Sequence, residues 1–114
     1  MNKDYIVFLL HIRDSINYIE DFVKDISEDE FLKDVKVQDA VVRRIEIIVE
    51  AVKNLPEDIR KKYQDTPWKD IAGMRDKITH HYFGIDLNKV WNVVEKDIPV
   101  LKKQIKEILE KEKK

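Results

Sequence analysis

The chain has 114 residues, 39% of them charged and 43% hydrophobic, with 2 Gly, 3 Pro and a formal net charge of -1. That length suits one domain with a single core, and so few turn residues favour helices over strands. The near-zero balance argues against a broadly basic nucleic-acid binder, so any RNA or DNA site must be local. With 0 Cys, a disulfide framework, a thiolate metal site and a cysteine nucleophile are all excluded.

The apolar run at the start covers only Tyr5 to Leu10 and meets Arg13 and Asp14 at once, which is unlike a signal peptide. Nowhere does the chain approach the roughly 18 uninterrupted apolar residues of a membrane helix. These features point to a soluble cytoplasmic protein with no membrane partner.

Tyr5, Leu9, Ile12, Ile16, Ile19, Val23 and Ile26 recur at steps of four and three, widened by Phe8 and Phe22. This predicts a long amphipathic first helix. His11 lies beside the seam and reads as a boundary or packing residue. Ser27-Glu28-Asp29-Glu30 is a capping-box pattern that opens a new helical turn ahead of Phe31 and Leu32. A second long helix is expected from about Asp34 to Leu55, on the stripe Val37, Val41, Ile45, Ile48, Val52 and Leu55. Val42 and Val49 add a second apolar edge, which places this helix centrally. Arg43, Arg44, Glu46 and Glu50 fill its other faces as solvated or salt-bridged surface.

Pro56 ends that helix and opens a short one through Tyr63. Gln64-Asp65-Thr66-Pro67 reads as a loop, with Thr66 as N-cap and Pro67 at the first position of the next helix. That helix carries Trp68, Ile71, Ile78 and Tyr82 on its apolar stripe and is expected to end at Gly84 in left-handed conformation. Asp86 caps the last helix, with Leu87, Trp91, Val94, Ile98, Leu101, Ile105 and Ile108 as its stripe; Pro99 should kink or split it near Asp97. The tail Glu110–Lys114 is expected to fray. The whole chain, 1–114, therefore reads as one all-α domain, an up-and-down bundle of four to five helices. Wide apolar faces on the first and last helices make it a candidate dimer.

Trp68 to Gly84 is the stretch that does not look like scaffolding. Arg75 falls on an apolar stripe, where an unpaired buried charge is costly, so it needs a partner or a substrate. Arg75, Asp76, His80, His81 and Tyr82 crowd together. On a continuous helix Arg75 and His80 would stand about 140° apart, able to flank one groove or to meet a second copy across a two-fold axis. An arginine fork suits phosphate and an imidazole moves protons near neutral pH, which is sufficient chemistry for metal-independent RNA cleavage. Two other readings compete. A zinc site would need more ligands than adjacent His80 and His81 provide, and neither H-E-x-x-H nor cysteine is present. In a purely structural reading, Arg75 pairs with an acid such as Glu50 and the histidines favour a helix C-terminus.

Arg75-Asp76-Lys77-Ile78-Thr79-His80-His81-Tyr82 fits R-x4-H-x-Y. Together with P-W-K-D-I-A-G-M-R-D before it, H-H-Y-F-G-I-D at its end and D-A-V-V-R-R-I-E-I-I-V-E-A upstream, it resembles the HEPN toxins of HEPN/MNT toxin–antitoxin pairs, often called HepT. The likeness runs from the first helix to the last. Val49 departs from it, standing where many relatives have glycine before the Glu-Ala pair. The resemblance implies a homodimer whose two motifs line an interface cleft. It makes Arg75 and His80 the catalytic pair of a metal-independent endoribonuclease that needs no cofactor, and Asp76 the residue that orients the site. Tyr82 becomes the acceptor for adenylylation by the partner nucleotidyltransferase, the MNT-type antitoxin; His81 receives no role. Added adenylate beside Arg75 and His80 would repel and occlude RNA. The alternatives are a non-catalytic helical-bundle interaction module and a nucleotide-binding accessory subunit of the transferase.

Overall fold

A computed structural model describes residues 3–80 and 84–113, His80 by its backbone alone. In chain order the elements are α1 (Ile6–Val23), α2 (Glu28–Phe31), α3 (Val35–Lys53), α4 (Glu57–Lys62), α5 (Trp68–Ala72), α6 (Met74–Lys77), β1 (Thr79–His80), β2 (Gly84–Ile85), α7 (Leu87–Asn92), a π-helical turn (Val93–Asp97) and α8 (Ile98–Glu112). The fold is an all-α bundle with a two-residue ladder as its sole β pairing among the described residues. No helix among them is long and apolar enough to cross a membrane.

The expected stripes supply the core. Leu9, Ile12, Ile16 and Ile19 of α1 are buried against Val41, Ile45, Ile48 and Val52 of α3, and Ile98, Leu101, Ile105 and Ile108 of α8 complete the interior. Each such side chain contributes roughly 1.5–3 kcal/mol through the apolar area removed from water. α3 is central, packing on α1, α2, α5 and α6. Its second edge is Val49, which is buried, and Val42, which is half-buried. Phe31 from α2 meets Trp91 from α7 with ring centroids 5.1 Å apart.

The helix ends follow local chemistry. In the capping box, Glu30 N–H donates to Ser27 Oγ at 3.2 Å and Ser27 N–H to Glu30 Oε1 at 3.0 Å. Asp86 Oδ1 accepts from the backbone of Asn88 and Lys89 at 3.1 and 3.2 Å. Thr66 differs from expectation: α5 begins at Trp68 with Pro67 at its cap position and no side-chain cap bond, and Thr66 is buried instead. The π-helical turn lies directly before Pro99. Proline lacks the N–H that would return to Glu95, and its ring crowds that carbonyl, so the helix widens there and restarts as α8.

Two larger expectations also fail. The helix from Trp68 is not continuous to Gly84. It breaks at Gly73, ends at Lys77 and gives way to β1, which pairs antiparallel with β2 as Thr79 opposite Ile85 and His80 opposite Gly84. The Asp86 N–H to Ile78 carbonyl bond of 2.7 Å extends this ladder. Thr79 Oγ1 donates to Arg75 O at 2.7 Å, where a continuing helix would have used the Thr79 backbone N–H. Gly84 does adopt positive φ, 80°, but as a hairpin residue rather than a helix terminus.

The C-terminal tail is the second. Glu112 is buried, not frayed. Its Oε1 accepts from Tyr5 Oη, and its Oε2 accepts from Tyr63 Oη and from Lys62 Nζ at 2.8 Å. Its backbone carbonyl accepts from Lys3 Nζ at 2.6 Å. This cluster closes the ends of α1, α4 and α8 on one another.

Candidate active site

Arg75 is carried by α6, a single helical turn held down by buried Met74 on one side and fully buried Ile78 just beyond its end. Its side chain is 42% exposed, so it does not sit in the core as its place on the apolar stripe suggests. Breaking the helix at Gly73 and ending it at Lys77 turns that position toward the surface.

Among the described residues the guanidinium has two partners, from two elements. Nε–H donates to Glu46 Oε2 of α3 at 3.3 Å, and Nη1–H donates to Thr79 Oγ1 at the start of β1 at 2.6 Å. The acid is therefore Glu46, one helical turn before the expected Glu50. Glu46 and Thr79 were both invisible as site residues in the sequence. Periodicity showed that Glu46 lies off the core face of its helix, but nothing local reveals that α6 packs beside that face. The N–H groups on the other edge of the fork are unpaired among the described residues, and that edge can grip a phosphate oxygen.

Asp76 follows Arg75 and is exposed; its side chain has no hydrogen bond or ion pair with another described residue. Lys77 reaches the other way, to Asp97 at 2.9 Å. His80 enters β1 through its backbone, so it stands on a strand beside α6 and the angle expected on a continuous helix does not apply. His81 and Tyr82 lie outside the described residues.

Glu46 is also part of the wall of a groove of about 420 Å³ between α1 and α3, where Phe8, His11, Arg43, Ile47 and Glu50 are exposed to a ligand. His11 is exposed and meets the Phe8 ring edge-on, with centroids 6.4 Å apart, which fits its expected place beside the apolar seam of α1.

Among the described residues, the strongly shifted ionisable groups are elsewhere. Hydrogen bonds from Lys62, Tyr5 and Tyr63 hold the Glu112 carboxyl down at about 2, while burial and the Glu112 hydrogen bond push Tyr63 up to about 12. A cluster of this kind can mark an active site. Here every donor converges on one carboxylate and both of its oxygens are filled, which is the arrangement of a structural clip. Among the described residues no group of His, Cys, Asp and Glu is assembled to hold a metal ion.

The chain is 53% identical over 110 residues to a "Gamma-glutamylcyclotransferase and putative RNase" of Methanocaldococcus jannaschii, covering 96% of this chain and 50% of that protein, so it spans half of that relative's length. It is 50% identical over 106 residues to a "Putative RNase" of Caldanaerobacter subterraneus subsp. tengcongensis, covering 93% of this chain and 95% of the relative. It is 46% identical over 101 residues to a "Probable ribonuclease HepT" of Thermococcus cleftensis, covering 89% of each. No solved structure matches it. The family model described as "Ribonuclease HepT-like" matches residues 12–108, a span that contains α3, Arg75 and the whole R-x4-H-x-Y motif, and the chain belongs to this HepT-like family.

Proposed function

We propose that this protein is a metal-independent endoribonuclease and the toxin of a toxin–antitoxin pair, acting in the cytoplasm. The observation that carries the reading is the Arg75 side chain: half-exposed, fixed at two atoms, and along one edge without a partner among the described residues, next to the strand that bears His80. Membership of the HepT-like family and relatives named as RNases support the same conclusion.

In this mechanism a phosphodiester of RNA lies against the open edge of Arg75. The 2′-hydroxyl attacks phosphorus as an imidazole removes its proton, the bond to the 5′-oxygen breaks, and that oxygen takes a proton from an imidazolium. The products are a 2′,3′-cyclic phosphate and a free 5′-hydroxyl. Arg75 stabilises the charge that grows on the non-bridging oxygens. His80 serves as acid or base, and a homodimer would bring a second His80 for the complementary role. Asp76 would orient the site. Tyr82 would be the acceptor through which the cognate MNT-type nucleotidyltransferase silences the toxin, since adenylate there adds negative charge and bulk beside Arg75.

The test is RNA cleavage in chelator by the parent, Arg75→Ala and His80→Ala. The reading requires cleavage by the parent and its loss in both variants. Mass spectrometry after incubation with the cognate transferase and ATP should place adenylate on Tyr82; an unmodified Tyr82 removes the switch. One observation favours a second reading, a helical-bundle module that only binds and is modified. The Glu46 contact already partners the Arg75 charge, so the arginine needs no substrate. Growth arrest that survives loss of both Arg75 and His80 would select that reading.

A further inference from the structure

An arginine on the surface has many rotamers, and one that must meet a phosphate in a fixed orientation needs anchors. Among the described residues Arg75 has two, and they come from different parts of the fold. Glu46 lies within α3, where flanking Ile45 and Ile48 are fully buried, so its backbone is as immobile as the core itself. Thr79 opens β1 and bonds Arg75 twice. Because arginine can only donate, Thr79 Oγ1 must accept from Nη1, which leaves its one hydroxyl proton for the Arg75 carbonyl. Both bonds are satisfied by a single proton assignment.

The choice of atoms matters. The Glu46 contact runs to Nε through one carboxylate oxygen at 3.3 Å, and no second bond reaches the fork from that acid. A two-pronged pair through Nε would have taken a terminal nitrogen as well. Anchoring Nε and Nη1 fixes the guanidinium plane, and among the described residues Nη2 has no partner, which leaves it for an incoming anion. Thr79 in turn precedes His80, so the same contact ties the arginine to the strand that carries the histidine of the motif.

We infer that Glu46 and Thr79 are positioning residues that clamp Arg75 with its open edge toward the RNA phosphate and in register with His80. The inference rests on the ribonuclease reading given above.

The experiment measures RNA cleavage by the full chain, parent against Glu46→Ala, Glu46→Gln, Thr79→Val and Thr79→Ser, together with the NMR signal of the Arg75 Nε–H. Glu46→Ala and Thr79→Val should each lower kcat roughly ten- to hundredfold, through misplacement of the fork, with KM within about threefold of the parent. Glu46→Gln keeps an oxygen that accepts from Nε, and Thr79→Ser keeps the hydroxyl, so each should stay within about threefold of the parent kcat. The Nε–H should exchange slowly with water in the parent and rapidly in Glu46→Ala. Parental kcat in Glu46→Ala overturns the clamp. So does a Glu46→Gln as slow as Glu46→Ala, or Glu46 variants that all cleave faster because the carboxylate merely competed with RNA. If the parent cleaves no RNA, the ribonuclease reading falls and the clamp loses its catalytic meaning. The Nε–H exchange then still decides whether the contact holds Arg75 at all.

Discussion

Tyr5 and Glu112, 107 positions apart in sequence, share a buried hydrogen bond that joins the start of α1 to the end of α8. Tyr63 and Lys62 reach the same carboxylate from the end of α4, so one acid ties three elements. Removing that acid strands two tyrosine hydroxyls in a site that excludes most water. Glu112→Ala should therefore destabilise the fold by roughly 2–4 kcal/mol, the range for orphaned buried donors plus a broken network. Urea unfolding of the variant should show a lower midpoint with an unchanged slope. A midpoint equal to the parent's would mean the clip holds nothing together.

The same cluster sets pH limits on stability. Glu112 is held down at about 2 in the folded chain against its usual 4.5. The unfolded chain therefore binds more protons between those values, and its contribution is complete above 4.5 and lost as pH falls toward 2. Tyr63 is pushed from 10.0 up to about 12, and Tyr5 is raised by its bond to Glu112. For these groups the folded chain binds more protons, so stability is complete below 10 and falls as pH rises toward 12. Thermal unfolding across pH should show both declines, and Tyr63→Phe should shallow the alkaline one. An alkaline limb identical in Tyr63→Phe would assign it to other groups.

Gly84 has φ of 80°, and a Cβ built on it meets nothing within 4 Å. Gly84→Ala therefore costs only the left-handed backbone preference, about 1 kcal/mol, with no steric clash to add. Because Gly84 pairs with His80, the strain would fall on the strand beside Arg75. The expected result is a small loss of melting temperature and a larger proportional loss of RNA cleavage.

Asp76 is exposed and joins no described side chain, so Asp76→Ala should leave stability within about 0.5 kcal/mol of the parent. Any fall in cleavage then reports on the site and not on folding. Cleavage equal to the parent's at equal stability would remove Asp76 from the site.

Pro99 denies the helix one backbone donor, and the π-helical turn Val93–Asp97 accommodates the loss. Pro99→Ala restores that donor and should convert the turn to α-helix, which amide hydrogen exchange would register as stronger protection over 93–99. Unchanged protection would place the cause of the turn in packing around Val93 and Val94.

How far the sequence could be read depended on the range of the forces involved. The stripes of α1, α3 and α8, the capping box at Ser27, the cap at Asp86 and the interruption before Pro99 were all legible. Each depends on neighbours within a turn or two of helix, and the 3.6-residue repeat exposes them. The stripe through Trp68 misled because Ile78 is as buried on a turn after α6 as it would be inside a longer helix. Periodicity alone does not show where the helix stops.

By itself, then, the amino-acid sequence determined the all-α class, the faces that form the core and the presence of Arg75, Asp76, His80 and Tyr82 in one short run, since all of these follow from local spacing. Tertiary structure decided which of them is held, and by what. The Thr79 hydroxyl bonds the Arg75 carbonyl where α6 ends, and His80 enters a strand paired with Gly84. Packing of α6 on α3 selects Glu46 over Glu50 as the partner of Arg75. Glu112 looks like solvated tail until Tyr5 and Tyr63 fold over it, because burial of a charge depends on donors that only the assembled bundle brings near.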